Sequence, residues 1–185
     1  MGVMIVDEIE AGYEKIMQKI TELKEQDRTL SEKIRTNDAA LLGRMAQSSV
    51  PIVKSIGLAM LERGKQDAKG EIYNATYYPS RMIILGKSEP SPFRPDNPAK
   101  KVTDQFCVLS EDGTFFELMY SSDGFLTDSF LNPIDPKVAL DVYGYDVMYM
   151  LYKAMHDYLN DEQALIGALE TTLLYVFPQQ NEEQA

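Results

Sequence analysis

The stretch Phe106–Gly124, FCVLSEDGTFFELMYSSDG, sets two Asp-Gly pairs and four acidic residues between apolar runs. An acidic site and a tight β-hairpin would both use these residues. Metal ligation fails on spacing. Glu111 and Asp112 are adjacent, so their side chains diverge on an extended chain, whereas a calcium loop alternates its acids and follows them with Gly and a distant Glu. Turn chemistry fits instead, since Asp-Gly between strand-forming residues is a strong hairpin signal. With Asp112-Gly113 as a two-residue loop, Leu109 would oppose Phe116, Cys107 would oppose Leu118 and Gln105 would oppose Tyr120. Phe106, Val108, Phe115, Glu117 and Met119 would share the other face. Both faces come out largely apolar. If C-terminal helices cover one, the other needs the N-terminal helices or a partner protein. Glu117, the one charge on these faces, reads as a strand-edge residue with no second carboxylate in a fixed relation to it.

Outward from the hairpin, the strands continue upstream. EIYNATYY (71–78) alternates and is rich in β-formers, and RMIILG (81–86) is a short apolar run. The intervening KSEPSPFRPDNPAKK (87–101) holds four prolines and reads as an extended surface connector. Its Pro92-Phe93-Arg94-Pro95 meets the loose spacing of groove-binding ligands, a spacing common by chance. Downstream, SSDGFLTDSFLNPIDP reads as turn-rich. A helix is expected from about Pro136 to Leu159 with Asp135 as N-cap, and a last helix from Asp161 to about Tyr175 behind an Asn160/Gln163 capping box.

The N-terminal segment carries the most regular pattern. Ile9, Tyr13, Ile16, Ile20, Leu23, Asp27, Leu30 and Ile34 are spaced 4, 3, 4, 3, 4, 3, 4. With Tyr13 at a, this is an a/d seam of nearly four heptads, flanked mostly by charged residues. So narrow a seam on so polar a helix needs a partner helix, in the same chain or another. Asp27 at an a position either fixes register at some cost in stability or marks a local splaying. Thr36, Asn37 and Asp38 are expected to stop or bend the helix. A short helix over 38–47 and a third from Ser48-Ser49, with Pro51 in its first turn, would follow. The third would present Ile52, Val53, Ile56, Ala59 and Met60 on one face, and Gly64 and Gly70 would close the helical half.

On the later helix Tyr145, Tyr149, Tyr152 and His156 form a stripe at 4, 3, 4 spacing. Core packing, a partner surface and a small-ligand pocket all suit such residues.

Composition removes several activities. One cysteine (Cys107) and one histidine (His156) exclude an internal disulfide, a Cys/His zinc site and most histidine-dependent hydrolase chemistry within one chain. Neither GxGxxG, GxxxxGK[ST] nor GxSxG occurs. The net charge of −11 is lopsided: residues 1–70 hold 11 basic and 11 acidic groups, leaving 7 and 18 for 71–185. The second part repels nucleic-acid backbones. No signal peptide, membrane span or myristoylation pattern is read, since Val6 stands where the last needs Ser or Thr.

The expected architecture is α+β: a long coiled-coil-like N-terminal helix and short helices, then a three- to four-stranded antiparallel sheet on two C-terminal helices. The expected organisation is a helical region 1–68, an α+β domain 69–178 and a polar tail 179–185. The expected function is a cytoplasmic, non-enzymatic subunit or adaptor that self-associates through the heptad helix. It needs no cofactor or metal, and its partner is protein or self rather than membrane or nucleic acid. The alternatives are a small-ligand sensor with a pocket between the sheet and the Tyr-rich helix, and an acidic inhibitor or chaperone of a basic protein.

Overall fold

A computed structural model describes residues 2–90 and 100–177, with side chains from Asp7 onward. The Pro92–Pro95 motif and the expected tail 179–185 lie outside the described residues. The elements are α1 (Gly2–Ile56), β1 (Leu58–Gln66), β2 (Ile72–Ser88), β3 (Asp104–Ser110), β4 (Phe115–Ser122), β5 (Leu126–Ile134), α2 (Pro136–Tyr143) and α3 (Asp146–Val176). The chain divides into two compact units, Met1–Leu41 and Leu42–Ala185.

The first unit is the greater part of α1. The expected stop at Thr36–Asp38 does not occur, because Thr36 donates its hydroxyl back to the Glu32 carbonyl at 2.9 Å and the helix runs on. Ser48 and Ser49 likewise bond back, to Met45 and Ala46, instead of capping a new helix. Pro51 is accommodated inside α1. An interior proline costs about 3 kcal/mol, and the buried Leu42, Ala46 and Val53 on the same stretch offset it.

In the second unit the sheet is not an open meander of three or four strands. It is a closed barrel in the order β1-β2-β3-β4-β5, with every neighbouring pair antiparallel. Two further strands make the difference. Residues 58–66, part of which was expected to extend a helix, form β1. Gly57 permits the handover: a Cβ there would lie 2.6 Å from the Val53 carbonyl oxygen and 2.8 Å from Arg81 Cβ. The turn-rich stretch after Asp123 contains β5, which pairs with β4 throughout and with β1 through Arg63–Asp128, Gly64–Thr127 and Lys65–Leu126. Asp128 also takes Lys100 at 3.1 Å and Arg63 at 3.7 Å, so an ion cluster sits on the closing seam.

The hairpin is where expected but its register is shifted by one residue. Leu109 faces Phe115, Cys107 faces Glu117 and Gln105 faces Met119. The loop has three residues, Glu111-Asp112-Gly113: the Ser110 N–H bonds the Thr114 carbonyl and Gly113 takes φ +82°. This is a tight turn closed by a left-handed residue, the role glycine fills without strain. A one-residue slip exchanges faces, and it sorts the apolar surplus into two layers. Phe106, Val108, Phe116, Leu118 and Tyr120 join Met60, Tyr78, Met82 and Leu131 in a cluster drawn from all five strands, which fills the barrel. Cys107, Leu109 and Phe115 join Leu85 on the outer face, covered by Leu42, Ala46 and Val53 of α1, Ala139 of α2 and Val147 and Leu151 of α3. Helices from both ends of the chain therefore cover the second apolar face of the hairpin.

Asp135 caps α2 as expected, accepting from the Val138 N–H at 2.9 Å. The helix expected over 136–159 is broken at Gly144, whose φ is +75°. No break occurs at Asn160, which bonds His156 on a continuous α3.

Candidate functional site

Seam geometry comes first. Ile9, Tyr13, Ile16, Ile20, Leu23, Leu30 and Ile34 lie on uninterrupted helix and are exposed by 40% to 66%. Asp27 is exposed as well. Several polar groups pair within the helix: Arg28 meets Glu25 at 2.9 Å, Lys19 meets Glu22 at 3.2 Å, and Thr21 and Thr29 bond carbonyls one turn back. Exposed pairs of this kind contribute little stability. These contacts run along the helix itself and leave its apolar edge bare.

Tyr149, Tyr152 and His156 follow one another along exposed α3, with Tyr145 at its N-cap, so the stripe forms as spaced. Tyr152 and His156 stack with ring centres 6.0 Å apart. The stripe faces solvent rather than the sheet.

A cavity of about 610 Å³ opens instead on the outer barrel face beside α2, with Lys87, Gln105, Glu117, Phe130, Asn132 and Tyr143 among its walls. The corrected register creates it, because Gln105 and Glu117 now share the outer face. Gln105 is 3% exposed and donates from Nε2 to Glu117 Oε1 at 2.5 Å. The Tyr143 hydroxyl donates to the same oxygen at 3.1 Å. Burial raises the Tyr143 phenol, which stays a neutral donor, and the Glu117 charge raises it further. Burial pushes the neighbouring Cys107 thiol to about 12, with Glu117 adding to the shift, so Cys107 is an inert core group. Lys87, the cation of this wall, is engaged by Asp104 at 2.7 Å. Glu117 has no ion-pair partner among the described residues. The site can therefore hold a hydrogen-bond donor or a small cation against the Glu117 carboxylate. The described residues contain no cluster of three or more potential metal ligands.

Sequence reasoning singled out Glu117 but not Gln105 or Tyr143. The alternation Gln105-Cys107-Leu109 was the available signal, and the wrong loop length concealed its pairing with Glu117. No described helix is long and apolar enough to cross a membrane. No family model, curated protein or solved structure matches the chain.

Proposed function

We propose that this protein is a non-enzymatic, self-associating subunit or adaptor of a larger assembly, working in the cytoplasm, with the α1 seam as its association surface. The observation that carries this reading is the heptad edge Ile9–Ile34, apolar at every position but Asp27 and exposed along its whole length. Water opposes such an edge, and a second helix packing knobs into holes relieves it. The experiment is light scattering on the full chain and on Ile20→Asp/Leu23→Asp. The wild type should run above the monomer mass and the variant as a folded monomer. Equal masses for the two would refute the reading.

The Glu117 cavity favours a second reading, a small-ligand binding domain. Its donor set suits a ligand bearing an ammonium or guanidinium group beside a short apolar body. A melting-temperature rise with small amines, lost in Glu117→Gln, would support it; no shift with any amine would remove it.

A further inference from the structure

The two carboxylate oxygens of Glu117 are used unequally. Oε1 accepts from Gln105 Nε2 at 2.5 Å and from the Tyr143 hydroxyl at 3.1 Å. Gln105 Nε2 also reaches the Tyr143 oxygen at 3.3 Å, so the three groups close a triangle around Oε1. A carboxylate oxygen accepts about two donors, and Oε1 already has them. Oε2 has no partner among the described residues. Asn132 stands directly opposite Glu117 on β5 and lines the same cavity. Met119 and Phe130 form the next pair on that face, and Val142 of α2 flanks them.

We infer that this cavity takes a free short-chain primary alkylamine and rejects a guanidinium, and that Tyr143 sets that choice. The inference rests on the small-ligand reading above and narrows its ligand. A guanidinium binds a carboxylate best through two parallel N–H bonds, one to each oxygen. At Glu117 one of those oxygens is taken, so the fork would have to displace Tyr143 or the buried Gln105. An ammonium is a compact charge that needs one oxygen only. Oε2 supplies it, and the Asn132 amide oxygen lies across the strand pair to accept a second N–H. The alkyl body then runs past Val142 toward Met119 and Phe130, a step of roughly 7 Å along the strands that about four to five carbons span. The cavity of about 610 Å³ has room for such a chain. The charges at its mouth agree: Lys87 is held by Asp104, and Glu89 adds an acid to the same wall. Tyr143 is thus a positioning residue, acting on the ligand through Glu117 Oε1.

The test is calorimetric titration of the full chain with n-butylammonium and with n-butylguanidinium, both as chlorides at neutral pH. The wild type should bind the ammonium roughly tenfold more tightly, the contribution of one charge-assisted hydrogen bond. Tyr143→Phe, checked for folding by circular dichroism, returns an acceptor site to Oε1. It should strengthen guanidinium binding and narrow the ratio by roughly threefold or more. Tyr143 as mere structural support would weaken both probes alike and keep the ratio, an outcome that overturns the inference. A wild type that binds the guanidinium as tightly as the ammonium also overturns it, and leaves the small-ligand reading standing. Binding of neither probe removes both. The wild-type ratio needs no variant, so the test stands even if Tyr143→Phe fails to fold.

Discussion

The barrel and the outer helices are both rich in apolar residues, yet they treat them oppositely. Leu118, Val108 and Leu109 are fully buried, one layer inside the barrel and one beneath the helices. Ile16, Leu30, Leu169 and Leu173 stand more than half exposed on helices that satisfy their own backbone. A closed sheet has no edge to offer a partner, so the apolar surface that stands bare among these residues lies on the helices.

The largest expected effect attacks the first half of that contrast. Leu118→Ala should destabilise the fold by about 2–5 kcal/mol, with a loss of melting temperature that does not depend on protein concentration. A concentration-dependent loss would mean that the barrel itself requires assembly.

Alkaline titration probes both apolar layers, through Cys107 beneath the helices and Tyr120 in the barrel. The Cys107 thiol titrates at 9.0 in the unfolded chain and at about 12 in the fold. Its contribution is fully present below pH 9 and declines as pH rises toward 12. Tyr120, raised from 10.0 to about 12 by burial and by Tyr78, adds to the loss above pH 10. Urea unfolding across pH 8–11 should therefore show stability falling from about pH 9. Cys107→Ala should flatten the part of the fall below pH 10, and an unchanged slope would show that the thiol is not the group responsible.

A smaller effect belongs to the barrel's closing seam. Asp128→Asn leaves the half-buried Lys100 without its ion pair and should cost about 1–2 kcal/mol, measured by chemical denaturation. A neutral outcome would show that the β1–β5 backbone pairs hold the closure alone. The smallest change is expected on the assembly side. Asp27→Leu should tighten association or alter its order, read as mass against dilution. Unchanged mass and melting temperature would place Asp27 outside the seam.

Sequence reading served the two regions unequally, for physical reasons. The apolar repeat from Ile9 to Ile34 is local and periodic, so the helix that carries it could be read directly. The hairpin was legible in position but not in register, because Asp112-Gly113 suits both a two-residue and a three-residue loop. Barrel closure was hidden. Strand β5 carries Asp128, Ser129, Asn132 and Pro133, which resemble turn residues until β1 is found beside them, and β1 itself was read as partly helical. The Glu117 cavity inherited the register error. Helix α3 was divided in two by the break expected at Asn160, whose side chain instead bonds His156 on the same helix.

The most direct test of the account is the mass of the unmodified chain in solution as a function of concentration. The account predicts a multiple of the 20.9 kDa chain that dissociates on dilution. A constant 20.9 kDa at every concentration would contradict it.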